Sequence, residues 1–302
     1  IITELFPGRP IHLSTQANTT NWKSALFWKR QGVSRINLAR EMPLDAIREV
    51  KERADVELEA FVHGAMCISY SGRCLLSSAM AGRQANRGKC AHPCRWSYSL
   101  VEETRPGEYF PVVEDENGTF IFNSKDLCLL PNIPELVESG VDSLKIEGRM
   151  KGINYVASVV RIYREALDRY CEDPQNYRCR EEWLEELCKI SHRGYTSGFL
   201  LGTPKDLDHE YHSRYTRTHD FVGIVEEVLP DGDLLVGVRN RLQIGDTLEF
   251  IGRGMTSGTL LLDEMTDESG APIQVAHPNG QVRLRTPFAA EQYDLIRREK
   301  CT

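Results

Sequence analysis

One stretch constrains this chain more than any other. From Glu59 to Trp96 it reads EAFVHGAMCISYSGRCLLSSAMAGRQANRGKCAHPCRW, with Cys67, Cys74, Cys90 and Cys94 inside 28 residues. No Asp or Glu occurs between Glu59 and Glu102, although the whole chain carries a formal net charge of -7. The same run holds Arg73, Arg83, Arg87, Lys89 and Arg95. Cations beside a thiol favour the thiolate, so lowered thiol pKa values are expected here. A cationic loop rich in Gly and Ser suits a soft metal centre, a bound anion, or both.

The rest of the composition narrows the setting. The 302 residues leave room for roughly two domains of about 150 each. Nine cysteines, an odd number unevenly spread, do not make a disulfide scaffold in a chain able to bury its own core. They point to metal-binding or catalytic thiols in a reducing, cytoplasmic compartment. No run of about 18 apolar residues and no signal-peptide pattern occurs, so no membrane partner is expected. The acidic balance argues against bulk nucleic-acid binding but leaves a local basic patch for RNA. The chain opens on Ile1 and Ile2, not Met, and a longer parent is expected.

Up to about residue 170 the pattern is strand then helix. Strands are expected at Pro10–Ser14, Ser34–Ala39, Val56–Val62 and Val141–Ile146, with helices at Asn21–Gln31, Pro43–Ala54, Pro134–Ser139 and Asn154–Tyr170. Shorter strands are expected at Tyr98–Glu103 and Tyr109–Glu114, and Asn117-Gly118 signals a hairpin. Glu181–Ser191 reads as a short helix and GYTSGFLLG as a Gly-rich loop. From about His219, short β-runs separated by Pro, Asp, Asn and Gly turns predict a small all-β barrel. The expected fold is therefore α/β: a TIM-barrel-like catalytic domain over 1–205, lacking its first strands, and a β-barrel domain over 215–302.

Polar residues cluster where such a barrel places chemistry. Gln16 and Asn18 follow the first strand, Arg40 and Glu41 the second, and His63 and Cys67 the third. Lys145, Glu147 and Arg149 end the strand before the long helix. These are all strand C-terminal ends and would share one face. His63 reads as base, ligand or packing residue. The cations read as a solvated face or as partners for carboxylate or phosphate.

The spacing Cys67-x6-Cys74-x15-Cys90-x3-Cys94, with Cys128 beyond, leaves three readings open. They are buried structural thiols, zinc, and an iron–sulfur cluster. Structural zinc favours close cysteine pairs, and only Cys90 and Cys94 form one. A cluster spreads its thiolates over loops and needs donors and cations around it. A His63–Cys67 protease dyad fits the spacing, but no other hydrolase motif accompanies it.

EAFVHGAMCISYSGRCLLSS, NRGKCAHPCRW, NSKDLC and SLKIEGRMKG together resemble the collagenase-like peptidase family of unassigned catalytic type. STQANTTN, LARE, SHRGYTSGFL and the β-rich tail resemble its prephenate-dependent tRNA uridine hydroxylase branch, nearly end to end. The resemblance implies a [4Fe–4S] cluster on Cys67, Cys74 and Cys90, with Cys94 or Cys128 as the fourth ligand. It implies oxygen-independent hydroxylation to 5-hydroxyuridine at the wobble base, with prephenate as co-substrate. The partners implied are tRNA at its anticodon region, a small carboxylate, and a protein delivering electrons or the cluster. His63, Arg40, Glu41, Lys145, Glu147 and Arg149 would do the chemistry. Gln16, Asn18, Arg73, Arg83, Arg87, Lys89 and Arg95 would hold substrate or RNA. The alternatives are a peptidase of unassigned mechanism, a hydroxylase of another RNA, and a non-catalytic RNA-binding or cluster-carrying protein.

Overall fold

The computed structural model describes residues 1–67, 69–96, 100–101, 109–110, 125–202 and 216–300, with Asn86, Arg95, Leu100, Val101, Tyr109 and Phe110 described in backbone only. The expected Asn117-Gly118 hairpin lies outside these residues. Two compact units divide the chain: Ile1–Arg149 with His192–Tyr215, and Met150–Ser191 with Thr216–Thr302.

The first unit begins with α1 (Ile2–Leu5), β1 (His12–Leu13), α2 (Trp22–Arg30), β2 (Arg35–Asn37), α3 (Leu44–Ala54) and β3 (Glu57–Ala65). Asn21 caps α2, its side chain accepting from the Ser24 amide at 3.0 Å. Leu44, Ile47, Val50 and Ala54 recur at helical spacing along α3 and are buried. After α4 (Leu76–Ala81), β4 (Leu100–Val101) pairs with β5 (Tyr109–Phe110). Then come β6 (Asp126–Cys128), α5 (Ile133–Glu138), β7 (Ser143–Ile146) and, further along, β8 (Tyr195–Thr196).

β1, β2, β3 and β7 are parallel neighbours. β6 departs from the barrel expectation, pairing antiparallel with the end of β3 and parallel with β8. Among the described residues the sheet is six-stranded and mixed, not a closed parallel barrel. The reason is the route of the chain. It leaves β3 at its C-terminal end into the cysteine-rich excursion and re-enters the sheet beside that same end, where β6 runs in reverse.

Register decides which face becomes the site. Asn37 stands opposite Glu59, Glu59 opposite Ser143, and Phe61 opposite Lys145. Side chains alternate along a strand, so these residues share one face. The other face carries Ile36, Leu58 and Ala60, all buried in the core. At the end of β3 the backbone of Gly64 has φ +104°, and a Cβ there would lie 2.2 Å from the Glu147 carbonyl oxygen. Only glycine permits so close an approach of β3 to the end of β7.

The second unit starts with α6 (Ile153–Glu172) and α7 (Glu181–Cys188). α6 buries Tyr155, Val159, Ile162, Tyr163, Ala166 and Tyr170; the helical period is as expected, but the buried face is turned, because Val156 and Val160, which the apolar pattern assigns to it, are exposed. Eight strands follow: β9 (His219–Val228), β10 (Leu234–Val238), β11 (Leu242–Gln243), β12 (Thr247–Ile251), β13 (Ser257–Leu261), β14 (Val275–Ala276), β15 (Gln281–Leu284) and β16 (Leu295–Glu299). Six form one antiparallel sheet in the order β13-β12-β16-β9-β10-β15. A bridge between Thr266 and Arg283 ties the chain just past β13 to the opposite edge strand. Val222, Val225, Val236, Leu248, Phe250 and Ile296 form part of its core.

A buried charge network joins this unit's helices to its strands. Arg297, fully buried on β16, donates to Glu249 at 2.8 Å and to Glu186 at 2.6 Å. Arg161 of α6 also pairs with Glu186 of α7, and Lys189 with Glu249 at 2.9 Å. By compactness α6 and α7 group with the β-strands of this unit.

Candidate functional site

The C-terminal ends of β1, β2, β3 and β7 open on a cavity of about 390 Å³. Cys67, Cys74, Cys90 and Cys94 all line it. Gln16 reaches it after β1 and Arg40 after β2; Lys145, Glu147 and Arg149 reach it from β7 and its end, and Arg87 from the cysteine loop. Most of the residues expected to share a face thus do so.

The cysteine loop is held by hydrogen bonds to the neighbouring strand ends. Ser71 donates to the Glu41 carboxylate from its amide at 3.1 Å and from its hydroxyl at 2.9 Å. Asn18 donates to the same carboxylate at 3.0 Å. Asn18 and Glu41 therefore anchor the loop, and neither lines the cavity. Gly72 has φ +76°, and a Cβ there would lie 2.1 Å from the Gln16 carbonyl oxygen. The loop can seat against the β1 turn only because that residue has no side chain.

Inside the cavity, burial outweighs the cations at one thiol. Burial pushes the Cys67 thiol above its ordinary pKa, with Cys74 and Cys90 adding to the rise. A backbone N–H from Ser69 and the Arg40 charge oppose it without prevailing. The expectation that basic residues would dominate here is corrected. Arg83 and Lys89 are exposed and Arg73 is too, and none of these three lines the cavity, so solvent screens their charge. The three thiols nevertheless sense one another, and the His92 amide donates to Cys90 Sγ at 3.4 Å. No disulfide joins the described cysteines.

The cations that do reach the cavity are fixed from several sides. The Arg40 guanidinium lies 3.6 Å from the centre of the Phe61 ring. Lys145 Nζ donates to Glu59 Oε1 at 2.8 Å, and Ser143 donates to Glu59 Oε2 at 2.9 Å. Burial raises the Glu59 carboxyl, but these two hydrogen bonds and the Lys145 charge bring it below its ordinary pKa. The Arg149 guanidinium packs against Gly88, and the Arg149 amide donates to Glu147 Oε1 at 2.9 Å.

The remaining expected residues lie elsewhere. His63 is buried in β3, opposite Cys128 of β6, with its ring 5.4 Å from Tyr195. Tyr195 in turn stacks on His192 at 4.6 Å. Neither His63 nor Cys128 lines the cavity. The Arg95 side chain is outside what is described. Among the described residues, no group of three or more His, Cys, Asp or Glu is set to hold a metal ion.

Asn37 is a residue that sequence reasoning missed. It closes β2, lines the cavity, and is 5% exposed. Its Oδ1 has no hydrogen-bond partner among the described residues. The available signal was an amide inside the otherwise strand-like SRINLA.

The profile of Peptidase family U32 matches residues 1–210, and that of its C-terminal domain matches residues 217–297. The chain is 42% identical to tRNA hydroxylation protein P1 of Bacillus subtilis (strain 168), covering 97% of this chain and 70% of that protein. It is 35% identical to tRNA hydroxylation protein P of Escherichia coli (strain K12), covering 93% and 70%. It is 32% identical to a collagenase of Porphyromonas gingivalis, covering 84% of this chain and 63% of that one. Both profiles match and together span most of the chain, so the chain belongs to peptidase family U32.

Proposed function

We propose that this chain is the catalytic part of a tRNA hydroxylase that converts the wobble uridine to 5-hydroxyuridine without oxygen, with prephenate as co-substrate. The observation that carries the reading is the meeting of Cys67, Cys74 and Cys90 with Arg40, Lys145 and Arg149 around one cavity. The names of the B. subtilis and E. coli relatives support the tRNA assignment. We read the four parallel strands as an arc of a β/α barrel, with the chemistry at their C-terminal ends.

The donor set fits a [4Fe–4S] cluster on Cys67, Cys74 and Cys90, with Cys94 or Cys128 as the fourth ligand. A single zinc ion would need its sulfurs within about 3.8 Å of one another. In a cluster each thiolate binds its own iron and stands further from the rest. Thiols that come from separate points of one long loop and line a single cavity suit the second arrangement. When bound, the cluster supplies redox-active, Lewis-acidic iron at the cavity wall.

The chain's own residues bind and orient. Arg40, Lys145 and Arg149 clamp the co-substrate carboxylates, since guanidinium and ammonium groups pair strongly with them. Glu59 and Phe61 hold Lys145 and Arg40 in place for that task. The uridine enters unstacked, as RNA bases must to be read on their edges. Exposed Arg73, Arg83, Arg87 and Lys89 of the cysteine loop meet the phosphates.

The test is mass spectrometry of tRNA nucleosides from a strain lacking the gene and any second hydroxylase. Loss of 5-hydroxyuridine, restored by the intact gene and not by a Cys67→Ser copy, supports the reading. Undiminished 5-hydroxyuridine contradicts it. A peptidase would instead leave tRNA unchanged and cleave collagen or gelatin.

A further inference from the structure

We infer that Asn37 is the residue that reads the pyrimidine, pairing its side-chain amide with the imide edge of uracil. The inference rests on the tRNA uridine reading above and adds the group that distinguishes uracil from cytosine.

Burying an amide oxygen without a partner is unfavourable. Several buried polar atoms among the described residues lack a partner, and of these Asn37 Oδ1 belongs to the residue that lines the cavity. Its neighbours are already committed. Glu59, its register partner on the same face, is engaged by Ser143 and Lys145. The carboxylate-binding cations are supplied by Arg40 and Arg149 as well. A second anion seated at Asn37 would face the Glu59 carboxylate, so a neutral ligand group is favoured there. A carboxamide offers one acceptor and one donor side by side. Uracil presents the complement: N3–H to give and a flanking carbonyl to receive. With the Asn37 oxygen set toward N3, cytosine mismatches at both positions, its bare N3 meeting an acceptor and its amino group a donor. The discrimination requires that the amide keep that orientation, since a flipped carboxamide would pair with cytosine instead.

A bidentate contact to a base edge discriminates by roughly 10- to 100-fold. The test uses the whole chain and anticodon stem-loop RNA carrying uridine, 3-methyluridine or cytidine at the target position. Affinity is read by fluorescence anisotropy and product by mass spectrometry. Wild-type protein is expected to bind uridine RNA about 10- to 100-fold more tightly than 3-methyluridine RNA. Asn37→Ala should lose that factor for uridine RNA and leave 3-methyluridine RNA unchanged. Asn37→Asp keeps the shape but cannot donate, and should narrow the preference for uridine over cytidine at least tenfold. Asn37→Ala should also melt no lower than wild type within a few degrees, because it removes an unsatisfied acceptor. Equal weakening of all three RNAs, or of none, overturns the assignment of Asn37. Hydroxylation without any dependence on N3 does the same while leaving the tRNA reading intact. The expected binding pattern without hydroxylation overturns the hydroxylase reading alone. No RNA binding by the wild-type chain overturns both.

Discussion

The missing side chain of Gly72 leaves just enough room for the carbonyl of Gln16: a Cβ there would sit 2.1 Å from that oxygen. This contact, with the Glu41 carboxylate bonded to both Ser71 and Asn18, seats the cysteine loop over the strand ends. Gly72→Ala would meet backbone, which cannot swing aside, and would also strain a positive φ. The expected result is a loss of about 1–3 kcal/mol in urea unfolding, with iron content falling further than secondary structure does. Paired measurement of circular dichroism and iron checks it. Unchanged iron loading would show that the loop does not depend on this contact.

Glu41 carries a second test of that anchoring. Glu41→Gln keeps an acceptor but weakens the bonds to Ser71 and Asn18 by removing charge. It should lower iron retention during dialysis while leaving the Michaelis constants of loaded protein within about twofold, since Glu41 does not line the cavity. A large change in the prephenate Michaelis constant alone would return Glu41 to the substrate side.

Much of this arrangement is legible in the sequence, and the exceptions have physical causes. α3 and α6 follow from apolar spacing, and the parallel strands from apolar runs ended by polar residues. The shared cavity follows from polar residues falling at strand ends. β6 is not legible, because NSKDLC has no alternation and its direction depends on where the excursion returns. The loop anchors Asn18 and Glu41 look like site residues, since a carboxylate beside a strand end reads the same whether it faces a ligand or a loop. The Cys67 pKa is misjudged because sequence counts charges but not burial. Asn37 is missed because a strand residue shows its partners only once the strand is paired.

Arg40 is expected to act mainly in binding. Arg40→Gln removes a charged donor that Phe61 supports from behind. The prephenate Michaelis constant should rise about 10- to 100-fold, with a smaller change in kcat. Arg40→Lys should recover little of this, because ammonium lacks the planar fork that stacks on the ring. Steady-state kinetics under anaerobic conditions measure both. A fall in kcat with an unchanged Michaelis constant would contradict a clamping role.

Acid should loosen the second unit through Glu249. Burial raises this carboxyl, but Arg297 and Lys189 outweigh it and bring its pKa from 4.5 to about 2. His219 also faces it at 3.6 Å. A depressed folded pKa means the stabilisation is complete above pH 4.5, fades as pH falls, and is gone below pH 2. Discounted for solvent screening of this half-buried carboxyl, the contribution at neutral pH is about 1–2 kcal/mol. Glu249→Gln should therefore lower neutral stability and flatten the slope of unfolding free energy between pH 4.5 and 2. Urea titrations at intervals across that window check it. An unchanged slope would mean the network contributes little.

The fourth ligand can be assigned by substitution. Cys94 lines the cavity and Cys128 stands in β6 opposite His63. Of Cys94→Ser and Cys128→Ser, one should lose visible absorbance as completely as Cys67→Ser, and the other should keep it. Retention by both would argue for a three-cysteine site.

The central claim is that cavity thiols from a cationic loop jointly grip an iron–sulfur centre. The most direct measurement is iron, sulfide and zinc content of protein purified without air, beside its Cys74→Ser variant. About four iron and four sulfide per chain, lost in the variant, is the predicted result. One zinc without sulfide, or iron that survives the substitution, would contradict it.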